Sequence, residues 1–307
     1  MTEGHPAESH LWIAGVDFSL VRREVTLSTE PRFEDRGFEG PTRNAAGGEC
    51  RVNLAVGRGA PPDVSTLRAP FVNEAWRLCR QGDARYVALP GENSIGAIAT
   101  ARLDKNVSHV TIWPGPQLRT RPDTEGLPRA RHLVCYPLDQ LLMMYALASR
   151  RGVLIHAAAA VLGGNAYVFA GASGAGKSTL TEALQDNGLG PDLLSDDRVV
   201  IRAIEGEFYA FGTPWAGTAK VAQNRGAPLK GIFFLAKDPE NRIEVLKADE
   251  VLPHLLRVAS IPWYDRDMIE PMLETCESLL RRTTTGILRF RPDAGVAEAL
   301  VRFADRG

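Results

Sequence analysis

Two patterns of apolar residues divide the chain. Up to residue 115, apolar residues come in short runs broken by Gly and Pro. Runs of this kind, bounded by turn residues, predict strands. They fall at Leu11–Phe18, Glu24–Leu27, Val52–Val56, Tyr86–Leu89 and Val107–Trp113, the last dense in β-branched residues. One predicted helix, Val72–Cys79, interrupts them. The Gly-, Pro-, Arg- and Glu-rich stretch Pro31–Gly48 predicts a long loop. Pro114, Pro116, Pro122 and Pro128 then fall within one short stretch, which suits neither a helix nor a central strand and marks residues 116–132 as a linker.

Beyond the linker the apolar runs lengthen. Pro137 followed by Leu138–Ala148, with Gly152 just past the end, predicts a buried helix in which Met143 and Met144 are packing residues. Val153–Val161 and Ala166–Ala170, joined by Leu162-Gly163-Gly164-Asn165, read as a hairpin. Gly286–Phe290 reads as a strand and Ala294–Phe303 as a final helix. The expectation is therefore an α/β chain: a small β-rich accessory or recognition domain over 1–115, a linker over 116–132, and an α/β domain over 133–307.

The second half of that hairpin runs into Gly171-Ala172-Ser173-Gly174-Ala175-Gly176-Lys177-Ser178-Thr179. This is G-x-x-x-x-G-K-[ST], preceded by an apolar strand and followed by the helix-forming Leu180–Leu184. A strand feeding a Gly-rich turn and then a helix aims backbone N–H groups and the positive helix end at an anion, the arrangement that cradles nucleotide phosphates. Gly171, Ser173, Gly174, Ala175, Gly176, Lys177, Ser178 and Thr179 are the expected nucleotide contacts. Lys177 would reach the β/γ-phosphates, and the Ser178 hydroxyl would ligate Mg²⁺. The expected ligands are ATP, or another nucleoside triphosphate, and Mg²⁺.

Composition narrows the partners. Lys+Arg number 36 and Asp+Glu 37, a net charge of −1, so no basic excess is available to neutralise many phosphates and no nucleic-acid partner is expected. No run reaches the ~18 apolar residues of a membrane span, and the first residues lack the layout of a signal peptide. The chain is therefore expected to be cytoplasmic, with no membrane partner. Its four cysteines, Cys50, Cys79, Cys135 and Cys276, stand far apart with no C-x-x-C pair, which predicts neither zinc nor disulfides.

A second constellation follows the glycine loop. Leu193-Leu194-Ser195-Asp196-Asp197-Arg198 is an apolar run ending in two acids. Side chains alternate along a strand, so both acids can act at one site only where the strand ends and the backbone turns. One carboxylate could then hold the metal while the other takes the proton of an attacking hydroxyl. Read alone, an exposed Asp-Asp turn is the alternative.

The stretch from Leu154-Ile155-His156-Ala157-Ala158, through the glycine loop, to Ser195-Asp196-Asp197-Arg198-Val199-Val200-Ile201 resembles the HPr kinase/phosphorylase catalytic domain, a relative of phosphoenolpyruvate carboxykinase. The resemblance implies a compact P-loop kinase domain with His156 in its active site, Asp196 as metal ligand and Asp197 as general base. Past Ile201 the glycine-rich signature tied to phosphorylase activity is missing. In its place stand Phe211-Gly212-Thr213-Pro214-Trp215-Ala216-Gly217-Thr218-Ala219-Lys220 and Asn224-Arg225-Gly226. That pattern looks like the HPr-kinase-like proteins found beside ribosomal-peptide clusters, including those that phosphorylate a terminal serine of lasso-peptide precursors. The resemblance also implies self-association, hence a possible homo-oligomer. Phosphoryl transfer needs cations near the transferring group, and Lys220 and Arg225 are candidates, with surface charge as the other reading.

The expected activity is an ATP- and Mg²⁺-dependent kinase acting on a serine-type hydroxyl of a peptide, protein or small metabolite. The alternative is a nucleotide-binding module that transfers nothing, which would need the loop but not the acid pair. A GTPase or transporter ATPase is disfavoured by the absence of D-x-x-G, N-K-x-D and L-S-G-G-Q motifs.

Overall fold

The computed structural model describes residues 8–21, 26–27, 37–44, 50–91, 97–116, 118–120, 129–130, 134, 136–189 and 192–306. The architecture is α/β with two large mixed sheets. The described residues of 1–11, 16–40 and 50–149 form one compact unit, and those of 12–15, 41–49 and 150–307 form another. The expected linker lies mostly outside the described residues, as do Cys135 and parts of the expected 31–48 loop.

The strands in the first part of the chain are β1 (Glu8–Ile13), β2 (Val16–Val21), β3 (Thr26–Leu27), β4 (Cys50–Val56), β5 (Arg68–Val72) and β6 (Arg77–Gln81). They continue as β7 (Ala84–Leu89), β8 (Ala99–Leu103), β9 (His109–Pro114), β10 (Arg119–Thr120) and β11 (Arg129–Ala130). Eight of them form a sheet in the order β1-β2-β4-β9-β8-β7-β6-β5, parallel at β2–β4–β9 and antiparallel from β9 to β5. Helix α1 (Leu138–Ala148) is buried almost throughout, and the Arg85 guanidinium, itself buried, lies 5.7 Å from the Tyr145 ring centre.

Two expectations in this part need correction. Val72–Cys79 is not a helix but the end of β5, a turn over 73–76 and the start of β6. The Asn73 side chain accepts from the backbone N–H groups of Ala75 (2.9 Å) and Trp76 (2.8 Å), giving the chain a tight turn in place of a first helical turn. A tilted contact between the Phe71 and Trp76 rings across the turn, with centroids 4.5 Å apart, reinforces it. Leu11–Phe18 is two strands, because Ala14 and Gly15 both take positive φ (54° and 73°) and reverse the chain.

The second unit contains β12 (Gly152–Leu162), β13 (Asn165–Ala170), α2 (Lys177–Leu184), β14 (Leu193–Ser195), β15 (Arg198–Ile204) and β16 (Glu207–Phe211). It continues with β17 (Gly226–Lys237), β18 (Arg242–Val245), α3 (Ala248–Val258), α4 (Arg266–Arg282), β19 (Thr284–Phe290) and α5 (Ala294–Ala304). The strand order is β13-β12-β15-β16-β17-β19-β18, with β14 on β12. Because β13 also pairs with β17, the first five strands close into a circuit. The expected hairpin is β12–β13, turning at Gly163 and Gly164, both at positive φ.

The core on one face of this sheet is aromatic. Phe303 stands edge-on to Phe233 (5.2 Å) and Tyr167 (6.3 Å), while Leu180 and Leu184 of α2 and Val296 and Leu300 of α5 fill the space between helices and strands. Helix α2 is thus held by its apolar side and keeps its N-terminus at the end of β13. That places the glycine loop.

Candidate functional site

The loop Gly171–Gly176 leaves β13 and enters α2, as its spacing predicts. Gly174 (φ 80°) and Gly176 (φ 105°) occupy the left-handed region that residues with a Cβ avoid. A Cβ added at Gly171 would come within 2.6 Å of Ala175 Cβ, so the loop can close only on a glycine. Gly176 takes the cap position of α2 and offers no side chain to its first amides, which leaves them to an anion. Lys177 is buried, and its Nζ donates to the carbonyls of Gly171 (2.9 Å) and Ala172 (3.3 Å), tying the helix start back to the loop start. Burial lowers the pKa of this ammonium, Asp197 opposes that shift, and Arg198 adds to it. Ser178 is partly exposed and Thr179 exposed at the same helix end.

Asp196 and Asp197 form a bend between β14 and β15, both of which pair with β12. The bend is pinned from several sides. Ser195 Oγ and Thr213 Oγ1 both donate to the Arg198 carbonyl at 2.7 Å, and Ala157 N donates to the Asp197 carbonyl at 3.0 Å. The register of β12 on β15 sets His156 opposite Arg198, and directly opposed antiparallel residues share a face. Gly171 N donates to the His156 carbonyl at 3.2 Å, which draws the glycine loop to the same place.

The two acids part company at the bend. Asp197 is 33% exposed, its Oδ1 2.7 Å from His156 Nε2 and its Oδ2 3.6 Å from Arg198 Nε. Burial pushes the Asp197 carboxyl up. The hydrogen bond and charge of His156, with the charges of Arg198 and Lys177, outweigh burial and hold it below its ordinary value of 3.8. An ionised carboxylate only accepts, so His156 Nε2 carries the hydrogen of this pair. Asp196 is 1% exposed and faces the segment after β16. Its Oδ1 accepts from Gly217 N (2.8 Å) and Val221 N (3.2 Å), and its Oδ2 from Ala219 N (2.8 Å).

The structure therefore brings His156, Lys177, Asp197 and the glycine loop together, and adds Arg198, which the sequence reading did not single out. Arg198 is adjacent to the acid pair, but only the β12–β15 register reveals that it shares a face with His156. Lys220 is exposed, in left-handed conformation (φ 55°), at the end of the Gly217–Lys220 turn. Arg225 bridges backbone to backbone with Arg43, and its carbonyl accepts from Gly212 N. The hydrogen bond of His156 and the charges of Arg198 and Lys177 act on the Asp197 carboxyl.

A magnesium ion with nucleotide phosphates suits part of this donor set. Such an ion uses one or two protein oxygens, with phosphates and water completing its shell. Among the described residues no cluster of three or more His, Cys, Asp or Glu side chains could hold a metal by themselves. The Ser178 hydroxyl at the start of α2 fits the requirement. Asp196, with both oxygens engaged by backbone amides and almost no exposed surface, does not fit it.

Among the described residues, no helix is long and apolar enough to cross a membrane. No curated protein matches this chain. A family model described as SynChlorMet cassette protein ScmC matches residues 132–272, a span that includes the glycine loop, the acid pair and the 217–221 segment. Among solved structures, the Hpr(Ser) kinase/phosphatase from Coxiella burnetii is similar at a TM-score of 0.29 and 14% identity, over 50% of this chain and 90% of that one.

Proposed function

We propose that this chain is an ATP- and Mg²⁺-dependent kinase that transfers the γ-phosphate to a serine-type hydroxyl of a peptide, protein or small metabolite. The observation that carries the reading is the 2.7 Å His156–Asp197 pair beside Lys177. A module that only holds a nucleotide needs the glycine loop. It has no use for an ionised, partly exposed carboxylate oriented by an imidazole at the phosphate end of that loop.

In this reading the amides of the loop and of the first turn of α2 bind the phosphates. Lys177 swings from the Gly171 and Ala172 carbonyls onto phosphate oxygens when nucleotide enters. Ser178, together with the phosphates, would hold Mg²⁺, which would supply neutralising charge there. The acceptor hydroxyl oxygen bonds to the γ-phosphorus as the bond to the β-phosphate bridging oxygen breaks. The nucleoside diphosphate leaves with that electron pair, and the acceptor proton passes to Asp197. His156 keeps Asp197 ionised and aimed, and Arg198 and Lys177 offset the charge gathered on the transferring oxygens.

The test is γ-labelled ATP with Mg²⁺, wild-type protein and a fractionated host extract, run beside Asp197→Asn. Label moving into a discrete peptide, protein or metabolite with wild type alone supports the reading and identifies the acceptor. Tight nucleotide binding with no transfer in any fraction favours a non-catalytic nucleotide-binding module.

A further inference from the structure

Asp196 is the acid that a phosphate-loop enzyme would be expected to lend to its metal, and its surroundings argue against that. Three backbone amides, from Gly217, Ala219 and Val221, converge on one carboxylate, all within 3.2 Å. Amides two residues apart point to one centre only if the backbone curls around it. The left-handed Lys220 (φ 55°), whose N–H donates to the Gly217 carbonyl at 3.2 Å, gives that curl. Gly217 packs so closely over the bend that an added Cβ would lie 2.8 Å from Asp196 Oδ2 and 3.2 Å from Asp197 Cβ. Just beyond, Ala222 bridges to Ser195, and Gln223 N donates to the Leu194 carbonyl at 3.0 Å, so the segment is stitched to β14 as well.

We propose that Asp196 is a positioning residue: its carboxylate is the anion around which residues 217–221 fold, fixing that segment against Asp197. The proposal rests on the kinase reading for its catalytic consequence, because the segment then borders the group that receives the acceptor proton. It does not rest on that reading for the clamp itself. It also reassigns the pair: Asp197 is the acid that meets substrate, and Asp196 acts through the backbone of the segment beside it.

Asp196→Asn keeps the shape but replaces one accepting oxygen by an NH₂ group that faces a backbone N–H. Hydrogen exchange of the full-length variant should show amides in 213–222 exchanging at least ~10-fold faster, with the rest of the second unit unchanged. The Mg²⁺ concentration that half-saturates binding of a fluorescent ATP analogue should stay within about twofold of wild type, since the ion has lost no ligand. Phosphate release from ATP to water should fall in kcat by about tenfold at unchanged KM for MgATP, the signature of a misplaced group rather than a lost binding contact. Unchanged exchange over 213–222 overturns the proposal, as does a Mg²⁺ requirement raised tenfold or more, which would make Asp196 a metal ligand.

Should Asp196→Asn fail to fold, Gly217→Ala attacks the same clamp from the segment side with the carboxylate intact. It should loosen the same amides, and full protection of 213–222 in that variant overturns the proposal. If wild type binds no nucleotide at all, the kinase reading fails, while the exchange measurement still decides whether Asp196 organises 217–221.

Discussion

Asp196 and Asp197 are neighbours of the same chemical type, separated by one peptide bond, and their environments are opposite. Asp197 faces the glycine loop through His156, Arg198 and Lys177 and keeps a third of its side-chain surface exposed. Asp196 faces a curled backbone segment and is sealed by three amides. The difference shows that an acid pair need not be a pair of catalysts. A carboxylate beside charged side chains and open surface can exchange a proton or meet a ligand, whereas a buried one that accepts from three backbone amides has committed most of its accepting capacity to structure.

The comparison breaks most visibly at the loop. Lys177→Ala removes the tether to Gly171 and Ala172 and, on the proposed reading, the phosphate contact, and nucleotide turnover should be abolished in a protein that remains folded by circular dichroism. Retained turnover would remove the loop from the account. Asp197→Asn should bind MgATP with wild-type affinity in calorimetry yet lose transfer by at least ~100-fold, the scale of a general base. Near wild-type transfer would move the base elsewhere. On the other side of the bend, Gly217→Ala should destabilise the protein by about 1–3 kcal/mol in chemical denaturation, because its Cβ meets the Asp196 carboxylate, which three backbone amides hold in place, and the Asp197 Cβ.

A finer distinction comes from pH. Asp197 is held below 3.8 by its partners, so the stabilisation those contacts give its charged form is present above that value and lost as pH falls through the lower folded value. His156→Ala removes the strongest partner that lowers it, so the acid limb of phosphate release assigned to Asp197 should move to higher pH. An acid limb that does not move would mean that His156 does not act through Asp197.

The parts of this site legible in the sequence are those whose chemistry is contiguous. Gly171 to Thr179 carries its own geometry, since two glycines at positive φ and a helix start are specified within nine residues. The bend at 196–197 was readable too, because two acids at the end of an apolar run imply that the strand stops. How the two acids divide was not, because it depends on Gly217, Ala219 and Val221, brought in by a separate strand pair. Arg198 was hidden for a similar reason: its place beside His156 is a property of strand register. In the fold, Asn73 turned an apparent helix into a hairpin through its side chain. Helices α3 and α4 carry Pro253 and Pro271, residues that a local reading takes as helix breakers, and stand because Val251, Leu255, Met272 and Cys276 bury their inner faces.

The most direct test of the central claim measures binding and transfer on the same samples. Wild type and Asp197→Asn would each be loaded with γ-labelled ATP and Mg²⁺, and bound nucleotide and transferred label read together after acceptor-containing extract is added. The account predicts equal loading and label in an acceptor only with wild type. Equal loading with equal transfer would contradict it, since the His156–Asp197 pair would then have no part in the chemistry.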